Sequence, residues 1–377
     1  MRRAVTRVMT EDEQWMARAL RLARTVRRPT SPNPPVGALI VRNGTVVGEG
    51  YHKGAGHPHA EVVALSQAGQ KAKDATLYVT LEPCAHYGRT PPCTDAIIRA
   101  GISKVVVATI DRNPIVNGKG VQILQQAGLT VLTGVLEKEA TYLLAPFFKF
   151  ITKKIPFAIL KLAMTADGKI ATASGQSRWI TGRKAQKWVH RLRRQSDAIL
   201  VGVGTILADD PELTVRLVPS YGYQPLRIVA DSLARTPPSA KVITAKGGKT
   251  IIAVTAAAPK ERWEALERAG AEVWQLPPSP DGRGVDLESL FRRLAEQNVM
   301  NLLVEGGSEL AGSLLMAGLV DRIAFFIAPL LVGGAKAIPA IGGQGIGDLA
   351  SAIFLKEPTF RKIGRDYLLL ADIGFPD

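Results

Sequence analysis

Cysteine is nearly absent from this sequence: Cys84 and Cys93 are the only two in 377 residues. That excludes a disulfide scaffold, and a single bridge would add little to a cytosolic chain of this size. Long apolar runs are missing too. None approaches the roughly 18 residues that span a bilayer. The opening stretch "MRRAVTRVMTEDEQWM" has neither an apolar signal core nor a small-residue cleavage site. Together these absences predict a cytoplasmic protein. There is no repeat of solenoid period, no low-complexity tract, no Walker A loop and no complete G-x-G-x-x-G; "VGVGT" at 201–205 is a lone G-x-G. A conventional Rossmann domain is thereby disfavoured.

What is present describes a globular chain, 46% hydrophobic and 21% charged, long enough for two domains. The net charge of +15 raises the question of nucleic acid. It is spread, however: residues 1–150 carry 19 Lys/Arg against 11 Asp/Glu (+8), and the remainder 29 against 22 (+7). Anionic small substrates suit such a surface equally well.

Thr10 and Glu13 have the form of a capping box, followed by Trp15, Met16, Ala19, Leu20, Ala23 and Val26 at helical spacing. "GALIVRNGTVVGEGY" predicts two strands joined at Asn43-Gly44. A helix from about His59, a strand "ATLYVTLEP", a helix opening near Cys93, the strand "KVVVATI", the helix "GVQILQQAG" and the strand "LTVLTGV" follow. This first domain is expected over 1–148, with "FKFITKKIP" as the connection. The second, over 149–377, alternates again. Its strands are expected near 157–163, 197–203, 226–231, 250–254, 301–305 and 322–328, and its helices near 182–195, 260–269, 287–297 and 309–317. Both domains are α/β.

Four of the five histidines and both cysteines lie between residues 52 and 93. A catalytic zinc ion takes three protein ligands and keeps a fourth position for water. His59, Cys84 and Cys93 supply those three. Cys93 is expected at a helix start, where backbone N–H groups favour thiolate. Zinc lowers the pKa of its water to about 7, and Glu61, beside His59, is then free to carry the proton. Zinc base deaminases combine H-x-E with P-C-x-x-C; here eight residues, "AHYGRTPP", separate the cysteines. His86 and Arg89 in that excursion are candidate substrate contacts, and His52 and His57 have no assigned role. In "MNLLVEGGSELAGSLL" a strand, a glycine pair and a helix succeed one another, a pattern suited to phosphate.

"HAEV" followed by "TLEPCAHYGRTPPC" resembles the deaminase half of the bifunctional riboflavin-biosynthesis deaminase–reductases. "KLAMTADGKIA", "SGQSRWITG", "LADDPELTVR" and "VEGGSELAGSLL" resemble the reductase half, so the resemblance covers nearly the whole chain. It implies a cytidine-deaminase-like layered domain followed by a dihydrofolate-reductase-like one that uses NADPH. Residue by residue, it puts Asn33 against the deaminase substrate. In the second domain it puts Ala163, Trp179, Thr205, Asp209, Ser232, Gly307, Ser308, Glu309, Leu310, Ala311, Gly312 and Ser313 against the dinucleotide. Ser177, Arg193, Leu213, Arg216 and Glu305 are put against the substrate. Arg193 and Arg216 are of the type that grips phosphate. Some relatives have Gly where this chain has Ala163. Lys161, at the end of an apolar strand, reads first as a strand-end lysine that snorkels to solvent and only second as an extra polar group in that cleft.

The expected function is therefore bifunctional. The first reaction is hydrolytic deamination of 2,5-diamino-6-ribosylamino-4(3H)-pyrimidinone 5′-phosphate; the second is NADPH reduction of its ribosyl group to ribityl. One zinc ion per chain and NADPH are the implied cofactors. A phosphorylated pyrimidine ribosylamine is the implied partner, without nucleic acid or membrane, and self-association is left open. The runner-up is a transfer-RNA base deaminase with a C-terminal binding module. Against it stand the long cysteine spacing and the lack of clustered aromatics in the second half. A third reading, an inactive protein retaining the fold, sits poorly with the presence of all three ligands and Glu61.

Overall fold

The computed structural model describes residues 8–86 and 91–374, which divide into two compact units at Lys154/Ile155. The first opens on α1 (Glu11–Ala23), whose capping box forms: Thr10 Oγ1 accepts from Glu13 N–H, and the Glu13 carboxylate accepts from Thr10 N–H. β1 (Gly37–Arg42) and β2 (Thr45–Tyr51) make the expected hairpin, with Asn43 and Gly44 both at positive φ. α2 (Ala60–Ala68), β3 (Thr76–Val79), α3 (Cys93–Arg99), β4 (Lys104–Val107), α4 (Lys119–Gln126), β5 (Thr130–Thr133) and α5 (Glu137–Lys153) complete the unit. The sheet runs β2-β1-β3-β4-β5; β1 is antiparallel to both neighbours, and β3, β4 and β5 are parallel. α2 lies close on β2 because that strand carries glycines: a Cβ on Gly48 would stand 2.2 Å from Ala64 O. This close approach seats the helix that bears Glu61.

α5 departs from the expected layout. "FKFITKKIP" is not a connection: its first six residues continue a 17-residue helix, and a boundary at 148 would cut that helix. Ala140, Leu144, Phe147 and Phe148 all lie on its buried side, and that apolar stripe outweighs the hydrogen bond lost at Pro146.

In the second unit come β6 (Phe157–Thr165), β7 (Lys169–Ala171), α6 (Arg183–Gln195), β8 (Ala198–Gly202), α7 (Val203–Asp209) and β9 (Leu226–Ala230). Then follow α8 (Lys241–Thr244), β10 (Thr250–Val254), α9 (Lys260–Arg268), β11 (Glu272–Gln275), α10 (Leu287–Glu296), β12 (Asn301–Glu305) and α11 (Ser308–Met316). β13 (Arg322–Ala328), β14 (Ile338–Pro339), β15 (Phe354–Ile363) and β16 (Asp366–Gly374) end it. Nine strands form one sheet in the order β11-β10-β9-β8-β12-β6-β13-β16-β15. It is parallel from β11 to β13 and antiparallel at the last two strands.

Alternate residues of each inner strand enter opposite cores. On β13, Ile323 and Phe325 join the α10 and α11 side, while Ala324 and Phe326 join the α6 and α9 side. The six expected strands and four expected helices lie within two residues of their places. The hairpin β15–β16 is an addition to them. β15 is exposed along almost its whole length, so no burial period marks it. Among the described residues, no helix is long and apolar enough to cross a membrane.

Candidate active sites

In the first unit, three donor atoms converge from three segments. His59 is the N-cap residue of α2, Cys84 follows the end of β3, and Cys93 opens α3. His59 Nδ1 lies 3.2 Å from Cys93 Sγ and 3.5 Å from Cys84 Sγ, and Cys93 N–H donates to Cys84 Sγ at 3.3 Å. Two metal bonds of about 2.0–2.3 Å at a tetrahedral angle span roughly 3.5 Å, so the trio has the spacing that one zinc ion requires. The donor atoms all lie within 4.8 Å of one another, and the cysteines are not in a disulfide. Hydrogen bonding from Cys93, with help from His59, holds the Cys84 thiol at about 4, and the Cys93 thiol is pushed upward in turn. Two soft sulfurs and one imidazole are a donor set that zinc favours.

Glu61, in the first turn of α2, is 4% exposed. Burial pushes its carboxyl up to about 7, and the neighbouring Cys84 adds to the shift. His52 is buried as well. Its Nδ1 lies 3.1 Å from Pro58 O, which can only accept; Nε2 therefore accepts from the Asn33 amide at 2.9 Å. Its ring meets that of His59 edge-on at 5.4 Å between centroids. His57 and His86 are exposed, and Arg89 lies outside the described residues.

Glu82 is a structural residue of this site that its sequence context barely signals. It is 3% exposed and accepts backbone N–H groups from Asp111, Gly118, Gly120 and Val121 at 2.8–3.2 Å. It thereby satisfies the start of α4 from outside that helix. A Cβ on Gly120 would stand 2.1 Å from Pro83 O, so α4 presses on the segment leading to Cys84. The one signal in the sequence is an acid two residues before a ligand.

In the second unit, a cleft of about 1740 Å³ runs along the C-terminal ends of the parallel strands. Lys161 on β6 is paired in register with Glu305 on β12. Glu305 and Arg193 of α6 form a buried bidentate pair, with Nε to Oε1 at 2.5 Å and Nη2 to Oε2 at 2.9 Å. Arg193 Nη1 also donates to Thr214 O at 2.9 Å. Arg193 thus commits three of its five N–H donors inside the protein, to Glu305 and Thr214, while still lining the cleft. Burial raises the Glu305 carboxyl, but Arg193 and then Lys161 outweigh this and hold it at about 2. Burial lowers Lys161. It also lowers His190, helped by Arg193 and Arg216, to about 4; His190 Nδ1 accepts from Arg216 N–H at 3.1 Å.

Arg216 is 47% exposed on its side chain and loosely tied to Glu212, which leaves it able to reach a ligand. Ser177 Oγ donates to Asp209 at 2.7 Å. Trp179 stands 68% exposed at the rim, while Leu213 is buried with a positive φ. Ala163, Thr205 and Ser232 line the cleft, as do Gly307 to Leu310, Gly312 and Ser313. Ala311 faces the core on the α10 and α11 side instead. Gly306 and Gly307 take φ of 87° and 90°, a turn that glycine enters freely. The Ser308 hydroxyl is buried without a hydrogen-bond partner at the start of α11. Free N–H groups of that first turn and an orphan hydroxyl suit a phosphate.

The first unit therefore has the donor set of a zinc hydrolase, and the second has a long cleft suited to a dinucleotide. Comparison with known proteins agrees. The family described as the cytidine and deoxycytidylate deaminase zinc-binding region matches residues 9–109, and that described as the RibD C-terminal domain matches residues 156–369. The riboflavin biosynthesis protein RibD of Aquifex aeolicus is 47% identical, covering 95% of this chain and 97% of its own length. That of Escherichia coli K12 is 45% identical, at 95% and 98%. Among solved structures, Acinetobacter baumannii RibD is 38% identical with a TM-score of 0.83, covering 96% of this chain and 99% of its own. A diaminohydroxyphosphoribosylaminopyrimidine deaminase/5-amino-6-(5-phosphoribosylamino)uracil reductase of Thermotoga maritima is 35% identical with a TM-score of 0.81, at 96% and 98%. The chain belongs to the RibD family, the bifunctional deaminase–reductases of riboflavin biosynthesis. It is a zinc-dependent deaminase and an NADPH-dependent reductase in one polypeptide, and the RNA-deaminase alternative is not favoured.

Proposed function

We propose that the two units divide the work between them. The first deaminates 2,5-diamino-6-ribosylamino-4(3H)-pyrimidinone 5′-phosphate; the second reduces the ribosyl group of the product to ribityl. The observation that carries the division is the convergence of His59, Cys84 and Cys93 beside the buried Glu61, in a unit separate from the cleft. His59, Cys84 and Cys93 hold zinc, which when bound supplies a Lewis acid and a water of lowered pKa. Glu61 is the proton carrier. It is rigidly seated in the first turn of α2, shielded from bulk solvent, and takes a proton on one side of the reaction and returns it to the departing amine. His52 fixes the Asn33 amide, so that the Asn33 carbonyl oxygen is turned towards the substrate.

In the second unit, NADPH supplies the hydride when bound. Glycines 306 and 307 and the first turn of α11 bind its phosphates, with Thr205 and Ser232 alongside. Arg216 grips the substrate phosphate. Arg193 acts through Glu305, holding that carboxylate charged beside Lys161 at the inner end of the cleft. The family's metabolic role supports a cytoplasmic location. One assay tests the whole: zinc-loaded protein with the pyrimidine substrate should release ammonia without NADPH, and should consume NADPH only after ammonia appears. NADPH consumption with undeaminated substrate would reverse the order of steps.

A further inference from the structure

The parallel strands set the direction of the cleft. Lys161 on β6, Glu305 on β12, the end of β8 and the end of β9 succeed one another across the sheet. Three strand spacings separate the first from the last, about 14 Å. With the inner end at Lys161 and the phosphate turn at Gly306–Ser308 after β12, the loop after β9 lies two strands further out, on the side where the adenosine portion of a dinucleotide falls.

That loop is built to present a cation. Asp231 is fully buried, and its Oδ2 accepts from both Thr236 N–H (2.7 Å) and Thr236 Oγ1 (2.8 Å). The turn is closed by Ala234 N–H donating to Asp231 O at 3.0 Å, with Ala234 at φ 52°. Asp231 Oδ1 has no hydrogen-bond partner; it faces Arg235 Nε at 3.9 Å, beyond hydrogen-bonding distance. Arg235 is half exposed and lines the cleft. The neighbouring cation, Lys241, is already engaged by Asp210 at 3.3 Å. Arg235 is thus aimed by a buried carboxylate while its guanidinium fork stays available.

We propose that Arg235 reads the 2′-phosphate of NADPH and so sets the preference of the reductase for NADPH over NADH. The proposal rests on the reading of this cleft as the dinucleotide site. A planar fork with several donors suits a phosphate dianion, and NADH offers it only a neutral 2′-hydroxyl.

The test is equilibrium titration of the full-length, zinc-loaded chain with NADPH and with NADH, followed by nicotinamide fluorescence. Arg235→Gln should weaken NADPH about ten- to a hundredfold and NADH less than about twofold, because only NADPH can form the charge-assisted hydrogen bonds that the substitution removes. Arg235→Lys should recover part of the NADPH affinity. Equal weakening of both ligands would overturn the proposal, as would a selective loss produced by Arg283→Gln, another cleft-lining arginine, in place of Arg235→Gln. If the unaltered protein bound neither dinucleotide, the cleft reading itself would fail.

Discussion

The two sites are built in different ways. The first gathers three metal donors and one carboxyl from residues 59 to 93, each at or near the start or end of an element. The second draws on strand ends and helix starts from Lys161 to Ser313, and its buried charges neutralise one another. A metal site depends on a few donors, whose loss is total. A cleft lined by ion pairs and backbone groups degrades by steps.

The largest expected effect is at Cys84. Cys84→Ser should remove most of the zinc, measured by metal analysis, and bring ammonia release near background, because folding and metal binding are coupled at such sites. Reduction of already deaminated substrate should persist. A parallel collapse of reduction would erase the distinction between the sites. Glu61→Gln should keep zinc yet slow deamination by about 10²–10⁴-fold, the usual scale for a lost general acid–base; zinc loss in this variant would make Glu61 a ligand.

Glu305→Gln sharpens the contrast from the other side. It leaves Arg193 and Lys161 buried without their counter-charge, at a cost of about 3–5 kcal/mol to the second unit. Thermal unfolding should show the second unit melting earlier, with deamination retained. The smallest effect concerns acid. The folded pKa of His190, about 4, lies below its ordinary value of 6.5, so the unfolded chain binds the proton more readily. His190 therefore contributes stability that is present above pH 6.5 and lost as pH falls towards 4, on the order of 3 kcal/mol. His190→Gln should flatten that part of the pH dependence in denaturant titrations. An unchanged slope would show that His190 titrates alike in both states.

Legibility in the sequence follows the same contrast. Cysteine and histidine are scarce here, so their clustering between 52 and 93 is visible without a fold. The inner strands of the second unit, apolar on both faces, are equally plain. α5 is not, because Pro146 and an aromatic run disguise its period. β15 is not, because neither of its faces is buried. The partner of Arg193 lies 112 residues away, and nothing in the local pattern links them.

Residue type and spacing alone determined that the first unit can bind zinc, since ligand chemistry belongs to the side chains themselves. They also determined the order of most elements, since burial writes a period into each strand and helix. Only the tertiary structure decided that Arg193 faces Glu305, that Glu82 serves α4, and that Arg235 stands over a buried aspartate. These are long-range electrostatic pairings, and a charge carries no mark of which distant charge it will meet until the sheet brings the strand ends side by side.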